Sequence, residues 1–409
     1  MTAFYLYDDA IARRFEPFAL TRPVGELRAG ALLVRERWAQ LLGVPCGGSI
    51  SSPHLADFDE PEAAPVVSGE LPAGSILVNA RALPSLSASV AASSGTVRVA
   101  ERVAAIRLEQ PLDAARFGDG TQPLEGLAAA NAEIEDLPGR WLDAVWDLVA
   151  SIDAILPDDI LAIARQRGTS AARPEGCAGV GATDGGANAI YVEEGATVEP
   201  FVTFDLSTGP VYLERGSTLQ SFTRVQGPCW IGRDSIVGCD RIASLVVGDT
   251  CKVHGESSHT IYLGHCNKSH DGFVGHSYLG RWVNIGANTV TSNLKNTYGT
   301  IELWTPDGMR DSGQQFLGTL FGDHAKTGIG LKLTTGTVIG ACAQVYGVHM
   351  PPKAVAPFSW GDHAPYDVYL LDKFLGVAAR MMSRRKIELS DKARRQLSAA
   401  HEVRWSVEA

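Results

Sequence analysis

The sequence predicts an α/β N-terminal domain followed by an all-β left-handed parallel β-helix with C-terminal helices. Two observations support this fold class. An aliphatic residue recurs every six positions through much of residues 188–356. Residues 1–165 lack this repeat and contain segments typical of strands alternating with segments typical of helices. The chain has 409 residues, of which 45% are hydrophobic, so it exceeds the size at which one core stops growing. We therefore expect two domains.

Residues 1–165 show the patterns of an α/β domain. The segments FYLYDD and SILVNA are typical of buried strands, and GALLVRERWAQLLG and GRWLDAVWDLVASIDAIL are typical of amphipathic helices. Residues 166–187 are rich in glycine and alanine and predict a linker to the second domain.

The second domain, residues 188–356, carries the six-residue repeat. A chain that turns a corner every six residues points one side chain per side into a narrow triangular prism, and this arrangement is a parallel β-helix. Residues 294–316 interrupt the period and predict a loop that leaves the prism, and residues 357–409 predict a helical extension. The repeat positions are Val192, Val198, Leu213, Leu219, Val225, Ile231, Val237, Val247, Val253, Leu279, Ile285, Phe321, Thr327, Leu333, Ile339 and Val345.

Composition excludes several classes of partner. The net charge is −10 and the basic residues are dispersed, which argues against binding to nucleic acid. The seven cysteines form no C-x-x-C pair, so we expect reduced thiols rather than a zinc site or disulfides. No signal-peptide core and no apolar run long enough to span a membrane is present, which predicts a cytoplasmic protein.

The segment NKSHDGFVGHSYLGRWVNIGANTVTSN, residues 267–293, contains two histidines, His270 and His276, in a glycine-framed context. Histidine takes and gives a proton near neutral pH, so either one is a candidate base. The segment resembles the acetyltransferase half of the bifunctional N-acetylglucosamine-1-phosphate uridyltransferase/glucosamine-1-phosphate acetyltransferase family, whose motif runs His, Tyr-Leu-Gly, Asn-Ile-Gly-Ala-Gly-Thr and a final Asn. NIGANT and the final Asn match in register.

The resemblance assigns roles by register. An ungapped alignment makes His270 the catalytic base, with Asn293 near it, and leaves His276 on an ordinary repeat position. A gapped alignment, which remains an alternative, instead makes His276 the base and gives Tyr278 a substrate-binding role. The ungapped register also implies that Asn284 and Phe273 bind substrate and that the backbone of Ala287 meets coenzyme A.

The resemblance further implies acetyl-CoA or another acyl-CoA as donor, and a homotrimer. Lys268 and Lys295 flank the motif and are candidates to bind a phosphorylated ligand. The second block of repeats offers small residues where a pantetheine arm can approach the backbone, and lysines for the phosphates of coenzyme A. These cofactor candidates are Gly328, Gly330, Ala341, Lys326 and Lys332.

In the first domain, PFALTRPVGELRAGALL and LVNARALP resemble sugar-phosphate nucleotidyltransferases, which implies a Rossmann-like fold. The glycine-rich phosphate loop of that family is absent from YLYDDAIARRFEPF, so we expect weak or no turnover. Candidate phosphate ligands are Arg13, Arg14 and Arg22, and candidate Mg²⁺ ligands are Asp8 and Asp9.

The predicted function is acyl transfer from acyl-CoA to an amino sugar phosphate or nucleotide sugar, with no nucleic acid and no membrane as partner. Two alternatives stay open. In the first, the N-terminal domain is an active sugar-1-phosphate nucleotidyltransferase. In the second, the protein is a catalytically inert trimeric binding scaffold.

Overall fold

The computed structural model describes residues 3–91, 94–129, 132–181, 185–238 and 240–406. The chain divides into two compact units. Unit 1 comprises the described residues up to Asp147 together with Ala379–Val403, and unit 2 comprises Leu148–Ala378 with the described residues from Arg404 onwards.

Unit 1 contains a six-stranded mixed sheet. Its elements are β1 Phe4–Tyr7, β2 Arg28–Ala29, β3 Leu32–Leu33, α1 Val34–Leu42, β4 Cys46–Ile50, β5 Glu70–Leu71, β6 Ile76–Asn79, β7 Ala82–Pro84, β8 Thr96–Val99, β9 Arg102–Arg107, β10 Leu112–Asp113, β11 Ile134–Leu137 and β12 Gly139–Trp141. The strand order is β11-β8-β9-β6-β1-β4, in which β1 pairs in parallel with both β4 and β6. Strand β9 pairs antiparallel with β6 and β8.

The two predicted strands FYLYDD and SILVNA are present as β1 and β6. Helix α1 ends at Gly43, whose φ of 65° lies in the left-handed region that favours glycine. The predicted helix GRWLDAVWDLVASIDAIL is wrong in its first half, because residues 139–141 pair with β7 as β12 instead. Only its second half is helical, as α2 Asp147–Ala150 and the beginning of α3 Ile152–Arg167.

Unit 2 contains α3 and a long series of short strands. These are β13 Ala178–Val180, β14 Ile190–Val192, β15 Thr197–Val198, β16 Thr203–Asp205, β17 Val211–Leu213, β18 Thr218–Leu219, β19 Arg224–Ile231, β20 Ile236–Gly238, β21 Arg241–Val247, β22 Lys252–His254, β23 Ser257–Tyr262, β24 Asn267–Lys268, β25 Val274–Gly275, β26 Tyr278–Leu279, β27 Val290–Thr291, β28 Glu302–Thr305, β29 Gly308–Asp311, β30 Thr319–Phe321, β31 Lys326–Thr327, β32 Lys332–Leu333, β33 Thr337–Ile339, β34 Gln344–Val345, β35 Ala354–Val355, β36 Ser359–Gly361 and β37 Asp367–Val368.

These strands stack into three parallel ladders, which we call faces 1, 2 and 3 in the order in which one coil of the chain visits them. Face 1 runs through β17, the end of β19, β21 and β23, and then β26, β30, β33 and β35. Face 2 runs through β18, β20, β22 and β24, and later through β31, β34 and β36. Face 3 runs through β16, the beginning of β19, β21 and β23, and then β25, with β27 pairing β32. Three parallel ladders are compatible with the predicted β-helix.

The six-residue repeat fills the space between the three faces. All of its aliphatic positions from Leu213 to Val345, together with Phe321, belong to one core cluster and are at most 3% exposed, and Val192 and Val198 pack against that cluster. Thr327, the polar member of the series, is 6% exposed. The period therefore identified the inward positions of the coils, as the prism geometry requires.

The interruption at residues 294–316 is also present. Neighbouring coils pair Tyr262 with Leu279, but the next pairing, from Leu279 to Phe321, spans more than twice as many residues. The additional residues include the antiparallel hairpin of β28 and β29. The ends of the insertion meet again, because Leu294 bridges Phe316 and the amide of Leu317 donates to the carbonyl of Asn293 at 3.0 Å.

The remaining helices are α4 Leu371–Ser383 and α5 Asp391–Glu402, within the predicted extension 357–409. Ser390 caps α5 by accepting a hydrogen bond from the amide of Ala393. Helix α5 belongs to unit 1, where the Arg395 guanidinium pairs with Asp57 at 2.9 Å. Its position in the sequence, after the repeats, had suggested that it packs on the β-helix. The grouping of α3 with unit 2 likewise places the division near residue 147, ahead of the expected linker at 166–187.

Among the described residues, no helix is long and apolar enough to cross a membrane. Six of the seven cysteines are free thiols, as expected, and Cys239 lies outside the described residues.

Candidate functional site

The two histidines of the motif lie at different corners of the coils. His276 follows β25 on face 3 and precedes β26 on face 1, so it occupies the corner between those faces. His270 lies between β24 on face 2 and β25 on face 3, and its side chain is exposed. A spacing of six residues therefore separates them by one side of the prism.

Around His276 the structure brings together residues from four segments, which we call the His276 cluster. The Nδ2 atom of Asn293 lies 2.9 Å from Nδ1 of His276. The His259 ring stacks on one side of His276, with centroids 4.4 Å apart and planes 8° apart, and Phe316 stacks with centroids 5.2 Å apart. Phe273 completes the cluster, because its ring and the Asn293 amide both occupy the space that a side chain at Gly275 would need.

The backbone explains why the rings come together. His259 and His276 occupy equivalent corners of successive coils and have φ values of 46° and 47°, in the left-handed region that non-glycine residues rarely adopt. The same conformation recurs at the equivalent corner of the preceding coil, where Ser244 has φ of 47°, so it belongs to the geometry of the coils. The two corners therefore project parallel rings from one edge of the coils.

A carboxylate from α3 joins the cluster behind His259. The Oδ2 atom of Asp153 lies 3.2 Å from Nε2 of His259. Burial lowers the pKa of His276 to about 4, with a further lowering from His259 and an opposing effect of Asp153. His276 is consequently neutral at pH 7 and able to accept a proton.

Of the residues predicted for this site, Asn293 and Phe273 lie beside His276, and His270 does not. Lys268, which we expected to face a phosphorylated ligand, is 1% exposed in the interior of the coil. Its ammonium donates to the carbonyls of His254 at 2.6 Å and His270 at 2.8 Å. Lys295 lies in the insertion and donates to the carbonyl of Thr300 at 2.5 Å.

The predicted acceptor and cofactor residues are distributed over several faces. Asn284 lies on face 2 and accepts a hydrogen bond from the Asn267 amide at 2.9 Å, and Lys326 is the residue bridged to it on the next coil. Burial lowers the pKa of Lys326 to about 8, and its ammonium donates to the carbonyl of His324 at 2.9 Å.

Three of the small residues predicted to contact coenzyme A share one corner. Ala287 and Gly330 are joined by a backbone hydrogen bond of 2.8 Å at the corner between faces 2 and 3, where Gly328 also lies. Ala341 is fully buried at the corner between faces 1 and 2, and Lys332 is exposed on face 3. The structure thus groups Ala287, Gly328 and Gly330 and separates Ala341 and Lys332 from them.

Sequence reasoning missed His259, Asp153 and Phe316. A signal for His259 was available, because His259, His276 and Asn293 are spaced by 17 residues, about one coil. Asp153 and Phe316 follow no repeat, since one lies on a helix and the other ends an insertion.

A second cleft, of about 390 Å³, lies in unit 1 beside the carboxyl ends of β1 and β6. The carboxylate of Asp9 accepts hydrogen bonds from Arg81 at 2.7 Å, from Asn79 at 2.9 Å and from the amides of Ile11 and Ala12. Although burial opposes it, the hydrogen bond and charge of Arg81 hold the pKa of Asp9 below its usual range. The other wall of the cleft includes Arg102, stacked 3.9 Å above the Trp141 ring.

The remaining candidates of unit 1 are used inside the fold. Arg22 is 1% exposed and pairs with Glu60 at 2.8 Å, and Arg13 donates to three backbone carbonyls, while Arg14 is exposed. Asp8 accepts from Ser51 and from the amide of Val24, and burial raises its pKa to about 6. Within the described part of the chain, no group of three or more His, Cys, Asp or Glu side chains has the arrangement of a metal site. Mg²⁺ is commonly held by only one or two carboxylates together with water and substrate phosphates, so the role of Asp8 and Asp9 as Mg²⁺ ligands stays a prediction.

Comparison with known proteins shows what the N-terminal part of the chain is similar to. Residues 4–168 match the model of a family described as sugar nucleotidyl transferase. A bifunctional sugar-1-phosphate nucleotidylyltransferase/acetyltransferase from Sulfurisphaera tokodaii is 34% identical over 77 residues, a stretch that covers 19% of this chain and 19% of that protein. The predicted resemblance to fused nucleotidyltransferase-like and acetyltransferase proteins is confirmed.

Proposed function

We propose that unit 2 transfers an acyl group from an acyl-CoA, acetyl-CoA in the first instance, to an amino or hydroxyl group of a sugar phosphate or nucleotide sugar. The observation that carries this proposal is the His276–Asn293 pair at 2.9 Å at a corner of the stacked parallel coils. The Sulfurisphaera tokodaii protein is described as an acetyltransferase as well as a nucleotidylyltransferase, and this similarity supports the same reaction.

His276 acts as the general base in this proposal. Its Nδ1 atom faces Asn293, and Nε2 is the ring nitrogen proposed to meet the acceptor. As the acceptor nitrogen or oxygen attacks the thioester carbonyl carbon, its proton passes to Nε2. The carbon–sulfur bond then breaks, and the thiolate of coenzyme A takes the proton from His276. A positioned base contributes about 10²- to 10⁴-fold to such a step.

Asn293 governs the tautomer of His276, and the role of base requires the amide to be turned from the orientation in which Nδ2 faces Nδ1. A neutral imidazole carries one proton, so Nε2 is a base only if Nδ1 is protonated. The two ends of an asparagine amide are nearly isosteric, and the amide turned so that Oδ1 faces His276 accepts the Nδ1 proton. The Asn293 amide, held beside Gly275 and Phe273, then fixes the lone pair on Nε2.

The ungapped register made His270 the base, and this assignment stays a prediction to be compared with His276. The geometry favours His276, because Asn293, Phe273 and a second histidine surround it, whereas the carbonyl of His270 serves the buried Lys268. Coenzyme A is proposed to lie along the corner that holds Ala287, Gly328 and Gly330, where small residues leave the backbone accessible.

We expect the chain to be a homotrimer with coenzyme A between neighbouring prisms, because the resembled family places the donor between subunits. Light scattering at working concentration should give three times the mass of 43.6 kDa. A stable monomer or dimer would contradict this expectation.

The experiment that tests the function is a screen of amino sugars and sugar 1-phosphates with acetyl-CoA, read by free thiol release. At least one acceptor should give turnover. Acetyl-CoA alone should raise the melting temperature, since a ligand at about 100 times its Kd adds about 2.7 kcal/mol of stability. If neither thiol release nor a thermal shift is seen, the protein is a scaffold and the proposal fails.

A second function, nucleotidyl transfer in unit 1, is favoured by the family match over residues 4–168. We expect weak or no turnover, because the loop after β1 contains no glycine and the Asp9 carboxylate already occupies the amides of Ile11 and Ala12. An anionic triphosphate would meet this carboxylate rather than free N–H donors. Pyrophosphate release from each nucleoside triphosphate with a sugar 1-phosphate and Mg²⁺ measures the activity, and robust turnover would overturn the expectation.

A further inference from the structure

The His276 cluster is supported from outside the repeat by helix α3. Asp153 lies in the first turn of α3 and contacts Nε2 of His259 at 3.2 Å, and the His259 ring lies parallel to His276 at 4.4 Å. The opposite end of the same helix is fixed to the lower coils, where Arg167 pairs with Glu193 at 2.7 Å and with Glu214 at 2.8 Å. Helix α3 is therefore anchored to the coils at both ends, and its first turn ends at the candidate site.

The charges that act on His276 come from this one direction. Two titratable groups influence it, His259 by repulsion when protonated and Asp153 by attraction. The other described neighbours of the ring, Asn293, Phe316 and Phe273, carry no charge. The hydrogen bond from His259 is the largest cause of the lowered pKa of Asp153, so that carboxylate is ionised at neutral pH.

We propose that Asp153 and His259 are positioning residues for His276. Asp153 fixes the plane of the His259 ring, and this ring supports His276 on one side. The inference rests on the proposed function in that it takes His276 as the base, and it adds two residues from elements that the family motif does not include.

The pair contributes little to folding, which makes it suitable for mutation. The Asp153 side chain is 60% exposed and that of His259 is 32% exposed, and ion pairs at such positions typically contribute less than about 1 kcal/mol. A phenylalanine at position 259 keeps an aromatic ring beneath His276. The chain already accepts phenylalanine in left-handed corners, since Phe201 and Phe222 both have φ of 67°. The variants should therefore fold.

The experiment follows His276 directly by NMR titration of ¹⁵N-histidine-labelled protein, together with the pH dependence of kcat/KM. In the His259→Phe variant, the titration of His276 should move upward by about half a pH unit or more, the Coulomb effect of a neighbouring charge in a solvated site. Its kcat at pH 8 should fall about as far as that of Asp153→Asn, because the phenylalanine ring has no nitrogen for Asp153 to hold. In Asp153→Asn, the titration should not move upward, because an attractive charge is lost, but kcat should fall about tenfold through the loss of ring orientation.

Asp158→Asn is the matched control, because Asp158 is an exposed aspartate on the same helix. It should change neither quantity. The inference is overturned if His276 titrates identically in wild type and His259→Phe, or if Asp153→Asn matches Asp158→Asn in kcat. The NMR measurement needs no turnover, so a protein without transfer activity would contradict the proposed function while still deciding whether His259 acts on His276.

Discussion

Replacing His276 with asparagine is expected to lower the rate of thiol release from acetyl-CoA by about 10² or more at pH 7, because the step loses its base. Asparagine is the appropriate replacement, since His276 has φ of 47° and asparagine tolerates this backbone better than alanine. Coenzyme A affinity and melting temperature should change little, as a base lost without damage to binding lowers kcat alone.

His270→Asn is the matched variant, and it should lower the rate less than about tenfold. The His270 side chain is exposed and lies at a different corner of the coil from the His276–Asn293 pair. A reversed ranking of the two variants in the same assay would restore the ungapped register and His270 as the base. Losses below about tenfold in both variants would show that neither imidazole is the base.

Replacing Lys268 with alanine is expected to reduce the free energy of unfolding by about 2 to 4 kcal/mol. The side chain is 1% exposed, and its ammonium joins the carbonyls of His254 and His270 across two coils, so the variant leaves both carbonyls without this donor and opens a space in the prism. Denaturant unfolding with an unchanged slope measures the loss.

Lys252→Ala is the control, because Lys252 is exposed one coil below on the same face, and its loss should stay within about 0.5 kcal/mol. If Lys268→Ala unfolds like wild type but raises KM for a phosphorylated acceptor, Lys268 binds the substrate as the sequence suggested.

The repeat was predictable because its cause is local. Each inward residue, such as Leu219 or Val237, requires only that the chain turn a corner every six positions, and the residues next to it determine whether that corner forms. The strands β1 and β6 were equally visible as short apolar runs. The predicted helix beginning at Gly139 failed because a tertiary partner, β7, decides the conformation of residues 139–141.

The site was harder to predict, because a linear motif does not state which corner each residue occupies. His270 and His276 both match the pattern of a glycine-framed base, and only the number of residues in the turn between Lys268 and Val274 places them on different edges. The 17-residue spacing of His259, His276 and Asn293 is about one coil, so it indicated that these residues lie near one another on successive coils. Asp153, which comes from a helix more than a hundred residues upstream of His259, held no local signal.

The two ends of the insertion at residues 294–316 meet, and this affects how the insertion can vary in evolution. Leu294 and Phe316 bridge, and Leu317 bonds to Asn293, so the coils above and below are joined as though the intervening residues were absent. The entropic cost of lengthening such a closed loop grows only slowly with its length. The exposed tip of its hairpin, residues 306–310, can therefore be exchanged, extended or shortened in evolution or by grafting while the register of the prism is preserved, whereas Ile301 and Leu303 are fully buried. Because Phe316 ends the insertion against His276, we expect changes at that end to alter the acceptor preference of the proposed transferase site.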